Sequence, residues 1–273
     1  MRTSSNPAFR NLPTGSAASG SYAGFNQPQG GVPGYGPPQA PAGSADRPMT
    51  VDDVVMKTGA ALGVTLVVGI ITAIWAQGQA AADAMGPILG AMIGGMLVGL
   101  VLSLIIIFKQ IANAPMTLAY SAAEGVFLGA ITGVFELMFP GIALQAVLGT
   151  AAVFVVMLVV YKTGAVKVTP KLTKWIIGAL GGVAILMLLN LVLGLFGVNM
   201  GIRDASSPLA YIFSIVCIGI AAFSFLLDFD MADKAIREGV PAKFAWYVAF
   251  GLMTTLVWLY LEILRLLSYL QSD

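Results

Sequence analysis

Glu124 and Glu262 are lone carboxylates inside long apolar stretches, and they are the residues of this sequence best placed to do chemistry. A charge at bilayer depth costs roughly 3 kcal/mol on insertion scales, so it is retained where it has a partner or a task. Burial favours the neutral acid unless a cation lies close. For Glu124 two readings stand: a protonated glutamate bonded to a neighbouring helix, or a proton- or cation-linked group. Glu262 has Arg265 three residues on, a spacing that puts both on one helix face. They can form a static pair, or Glu262 can exchange Arg265 for an aspartate on another helix. A third acidic locus, Asp228, Asp230 and Asp233, ends the sixth apolar run. Asp230 and Asp233 share a helix face and Asp228 points elsewhere. They read as a membrane-interface site or as the polar boundary where a helix leaves the bilayer. The Asp-x-Asp spacing lacks the glycine and terminal glutamate of an EF-hand loop, and no metal site is expected.

The residue inventory removes whole classes of function. There is no histidine, which excludes His-based general bases, a Ser-His-Asp triad and the commonest zinc sites. The single cysteine, Cys217, cannot form an intramolecular disulfide. No Walker loop, dinucleotide fingerprint or Gly-x-Ser-x-Gly elbow is present. Neither an enzyme nor a cofactor is expected. Net charge is +1, so charge alone says nothing about nucleic acid or an acidic partner; no nucleic-acid partner is expected of a chain this apolar.

These acids need elements to hold them in a membrane. Charged residues are 10% of the chain against about 25% in an ordinary soluble domain, which makes this a polytopic membrane protein. Runs of about 20 apolar residues span the hydrocarbon core as helices. Seven are found, near 58–76, 85–108, 116–139, 141–161, 174–198, 208–228 and 244–271. The expected fold is an all-α, seven-helix transmembrane bundle over 49–273, preceded by a Pro/Gly-rich tail over 1–48. That tail holds eight of the fourteen prolines, cannot bury a core, and is expected to be disordered. Phe9, Tyr22, Phe25 and Tyr35 are spaced along it as incidental aromatics or weak contacts. It lacks the apolar core of a secretory signal. Thr50, followed by Asp52 and Asp53, reads as a helix start. Gly86, Gly90 and Gly94, and Gly125, Gly129 and Gly133, recur every four residues and allow close helix packing within the bundle, with a homodimer face the lesser reading.

With the N-terminus in the cytoplasm, twelve of the fourteen Lys and Arg fall on that side; Arg203 lies in an outer loop and Arg265 in the last span. Seven spans place the C-terminus outside, unless the last run is re-entrant. The basic loop at 162–174 is chiefly a topology signal, with some attraction to membrane lipids.

Three stretches together resemble the Bax inhibitor / YccA family. They are Leu118-Ala-Tyr-Ser-Ala-Ala-Glu124-Gly-Val-Phe-Leu-Gly129, Leu148-Gly-Thr-Ala-Ala-Val-Phe154 through Tyr161-Lys162-Thr163, and Leu259-Tyr-Leu-Glu262-Ile-Leu. The resemblance covers about residues 50–271, leaves the tail outside, and is to a bacterial, actinobacterial-type member of the cell membrane. It implies a pH-sensitive cation leak, calcium first, gated by intramembrane carboxylates: Glu262 with Asp228 or Asp230, and Glu124. Arg265, by its spacing, and Lys109, a loose substitute for an arginine the family carries in its second helix, are the candidate ion-pair partners. The alternative it implies is a non-conducting modulator of membrane stress machinery, for example a membrane AAA protease. Calcium or protons are the small partners; the oligomeric state stays open.

The orientation is directly testable. Lys167→Cys in a Cys217→Ala background should react with a membrane-impermeant thiol reagent only after the membrane is permeabilised. Labelling of intact cells would reverse the topology.

Overall fold

The computed structural model describes residues 47–198, 200–204 and 207–272. Among them are seven helices long and apolar enough to cross a membrane: α1 (Val51–Ala81), α2 (Met85–Lys109), α3 (Ala114–Met138), α4 (Ile142–Thr163), α5 (Pro170–Leu195), α6 (Pro208–Arg237) and α7 (Ala245–Ser272). The expectation of a disordered stretch over 1–46 lies outside the described residues. Arg47 and Pro48, the last residues of that expected tail, are held against the bundle.

Local chemistry sets the helix starts. Thr50 caps α1, and the Asp53 carboxylate accepts from the Thr50 N–H at 3.0 Å, a reciprocal capping box. Asn113, Thr169 and Ser207 cap α3, α5 and α6, and a proline follows each within two residues, where a missing N–H costs nothing. The α3–α4 turn uses Gly141 at φ 89°, a conformation that favours glycine. Glu136 on α3 then accepts from the N–H groups of Gly141 (2.7 Å) and Ala143 (2.9 Å), so a carboxylate takes the place of a cap on α4.

One expected boundary moves well along the chain. α6 continues past 228 to Arg237, so the three aspartates lie within the helix. The i,i+4 pairs Asp230–Lys234 and Asp233–Arg237 support this extra length, and the cations favour its C-terminal end. α7 is unbroken for 28 residues, about 42 Å, which is long enough to cross the hydrocarbon core.

α7 is the centre of the bundle and packs against α1, α3, α4 and α6, whereas α5 leans chiefly on α6. Lipid tails give helices little hydrophobic reason to associate, so backbone proximity must supply the contact. The glycines of α3 do this. A Cβ at Gly125 would stand 2.9 Å from Thr65 O, one at Gly133 2.6 Å from Ala73 O, and one at Gly129 would collide with Gly69 O, all on α1. The α2 glycines behave differently from the sequence expectation. Gly86, Gly90 and Gly94 have nothing within 4 Å of a built Cβ, and it is Gly95 that meets α3, 2.8 Å from Phe127 N. The four-residue repeat on α2 therefore lies on the wrong face for packing within the bundle.

A clasp closes the end where α1 begins. Met49 N donates to Val240 O and Ala242 N to Arg47 O, both at 2.8 Å. Arg47 grips Asp53 through two bonds of 2.7 Å.

The two glycine repeats should respond oppositely to one methyl group. Gly129→Ala should lower stability by about 1–3 kcal/mol, the range for overpacking, read as thermal unfolding in detergent. Gly90→Ala should leave the unfolding temperature unchanged or slightly raised.

Candidate functional site

The seam between α1 and α3 fixes which face of α3 looks at α7, and that face carries Tyr120 and Glu124, one turn apart. Tyr120 is buried and its hydroxyl lies 3.2 Å from Thr254 Oγ1 on α7. The Glu124 carboxylate sits beside the same hydroxyl. Glu124 also lies over Gly99 of α2, where a Cβ would come within 3.0 Å of its Oε1, so the carboxylate packs directly on that glycine. The next residue of α7, Thr255, donates from Oγ1 to Asp228 Oδ2 on α6 at 2.7 Å. Ten residues into both α3 and α7, about 15 Å from their starts, two carboxylates thus flank the Thr254–Thr255 step. A cavity of about 420 Å³ opens there between α2, α3 and α7, lined by Glu124, Tyr120, Thr254, Thr255 and Ser103 among apolar side chains.

Glu262 lies two turns further along α7, about 10 Å away. It is only 2% exposed. Its Oε1 accepts from Arg265 Nη1 at 2.9 Å and from Arg203 Nη2 at 3.3 Å. Its Oε2 is buried with no hydrogen-bond partner among the described residues. Arg203 arrives on the α5–α6 connection, and its Nε is 2.9 Å from Met187 Sδ. The Tyr269 hydroxyl donates to the Arg203 carbonyl at 3.3 Å. Burial, and then the Arg265 guanidinium, draw Arg203 below its ordinary pKa, against the upward pull of Glu262.

The structure brings Glu262 to Arg265, as the i,i+3 spacing allowed, and adds Arg203. It does not bring Glu262 to Asp228 or Asp230. Asp228 is bonded to Thr255, and Asp230 pairs with Lys234 along its own helix, near the exposed end of α6. Asp233 pairs with Arg237 at 2.6 Å and accepts from the Tyr161 hydroxyl at 3.2 Å. Lys109 is exposed at the end of α2 and makes no ion pair with these acids among the described residues. It stands ten residues, about 15 Å, from the Gly99 that touches Glu124.

Sequence reasoning missed Arg203, placed there only as a loop charge, and the hydroxyls of Tyr120, Thr254 and Thr255. Two signals were present: Tyr120 precedes Glu124 by one turn, and adjacent threonines interrupt an apolar helix. Among the described residues no three carboxylates or thiols converge as a metal site would require.

A family model described as Bax inhibitor 1 like matches residues 6–272. The match begins at residue 6, so it takes in most of the stretch that the sequence resemblance left outside. None of the curated proteins compared with the chain matches it.

Glu262 holds two guanidiniums together, and its removal should show this. Glu262→Gln should lower stability by roughly 3 kcal/mol, the cost of breaking a buried pair from one side. Adding Arg203→Gln should recover part of the loss, and a double-mutant cycle on thermal unfolding measures the coupling. Additive losses would mean that the contact carries no energy.

Proposed function

This chain belongs to the Bax inhibitor 1 like family, and from that premise we propose that it is a pH-sensitive cation leak of the cell membrane, with calcium the first cation to test. The observation that carries the reading is the run of oxygen donors at mid-depth: Glu124 and Tyr120 on α3, Thr254 and Thr255 on α7, Asp228 on α6. A multi-pass protein of seven apolar helices has little reason to keep two carboxylates at that level unless they serve ions or protons.

Glu124 faces the cavity, where its carboxylate and the neighbouring hydroxyls form the hard oxygen surface that calcium prefers. Asp228 has a different role. A hydroxyl bonded to an ionised carboxylate is held about twice as strongly as one bonded to a neutral acceptor. The ionised form of Asp228 therefore ties α6 to α7 through Thr255, and its protonation slackens that tie and lets the two helices shift. Glu262, between Arg203 and Arg265, braces the opposite end and is not half of a carboxylate pair. In the cell the end carrying the start of α1 faces the cytoplasm on this reading.

Reconstitution of the purified full-length protein in calcium-reporting liposomes tests the proposal. Wild type should pass calcium without a partner and respond to pH. Asp228→Asn, which keeps the shape and removes the charge, should flatten that response while remaining folded; Glu124→Gln should lower the flux itself. A folded Asp228→Asn protein with the wild-type pH response would remove the latch. Liposomes that stay silent with wild type would overturn the leak and leave the protease-modulating alternative.

A further inference from the structure

Tyr120, Glu124, Leu128, Thr132 and Glu136 recur every four residues along α3 and form one ridge of that helix. Leu128 is the single apolar member. α7 meets the ridge at two levels. The Tyr120 hydroxyl lies 3.2 Å from Thr254 Oγ1, and Thr132 Oγ1 lies 2.7 Å from the Tyr260 hydroxyl. Between these two contacts stand Leu128, one turn from both Glu124 and Thr132, and Val257, three residues from both Thr254 and Tyr260. Both are buried, at 8% and 9% exposure, in one apolar cluster against which Tyr260 and Leu261 pack. The lining of the cavity beside Glu124 ends at Glu124 on α3 and at Thr255 on α7, just short of this pair. A polar level, an apolar level and a second polar level thus follow one another along the α3–α7 seam. Glu136, one turn beyond Thr132, ends the upper level at the turn into α4.

We infer that Leu128 and Val257 form the hydrophobic constriction that holds the cation pathway shut. The inference rests on the cation-leak reading and names the gate of that same pathway. An apolar gap between side chains stays dry, and an ion sheds its water only where other oxygens replace it. Tyr120, Glu124 and Thr254 offer oxygens on one side, Thr132 and Tyr260 on the other; Leu128 and Val257 offer none. The α3 half of the constriction is fixed from behind, because Gly129, the next residue, is seated on Gly69 of α1. The α7 half is the one that can move. Val257 follows Thr255 by two residues, so a shift of α7 that begins at the Asp228–Thr255 bond carries Val257 with it.

Calcium flux into liposomes holding the full-length protein tests the gate, read beside thermal unfolding in detergent and retention of a co-trapped dye. Leu128→Ser should raise the flux at neutral pH roughly tenfold, a barrier lowered by about 1.4 kcal/mol, and flatten its pH response. Val257→Thr keeps the shape of the side chain and adds one hydroxyl. It should raise the flux in the same direction, and it reads the constriction even where Leu128→Ser does not fold. Leu144→Ser, on the exposed face of α4, should stay at the wild-type flux. A conducting wild type with both gate variants at its level overturns the constriction and leaves the leak standing. A silent wild type beside a conducting Leu128→Ser overturns the leak as a property of the wild type and upholds the constriction. Silence in all three overturns both. An equal rise in Leu144→Ser, or loss of the dye along with the calcium barrier, means general loosening and overturns the constriction.

Discussion

The α3 backbone can lie against α1 only because positions 125, 129 and 133 carry no side chain, and most of the architecture follows from that approach. A membrane bundle gains little from hiding apolar surface, since lipid is equally apolar. Its specificity comes from where backbones can touch. With α3 seated on α1, the adjoining face of α3 is presented to α7, and Tyr120 and Glu124 fall on it. Gly99 on α2 extends the same logic, because the absence of a Cβ there leaves space for the Glu124 carboxylate. Small residues thus determine both the packing and the location of the polar groups.

The acidic groups show how position decides chemistry among identical side chains. Asp230 and Asp233 are spent in i,i+4 pairs with exposed cations, contacts worth little energetically. Asp228, two residues earlier, turns inward and meets a hydroxyl rather than a charge. Glu262 meets two guanidiniums and keeps one oxygen without a donor among the described residues. One hundred degrees of helix rotation per residue separates a solubilising surface pair from a group that, among the described residues, has no ion pair.

Much of this was legible in the sequence. Length and hydropathy sufficed for the seven helices, because an apolar run of about 20 residues has few alternatives in a membrane. The Thr50 cap and the Glu262–Arg265 pair were legible because both are local, three residues apart. The limits were equally physical. The end of α6 was misplaced since i,i+4 ion pairs let a helix outlast its apolar run. The α2 glycines were misassigned because periodicity gives the spacing of a face but not the direction in which it looks. Arg203 could not be assigned to Glu262, because that contact joins a loop to a helix 59 residues away and no local pattern encodes it.

The clasp at the start of α1 has a temporal meaning. It joins groups at the start of α1 to the turn before the last helix; Lys57 and Ala242, bonded across it, are 185 residues apart. A chain made from its N-terminus inserts α1 long before the turn that secures it has been synthesised. Until α7 arrives, the first helix has α3 to lean on but neither its central neighbour nor its anchor. The closing contact is thus reserved for the finished chain, and a protein truncated before Val240 would carry an α1 that had been threaded through the membrane and never fastened.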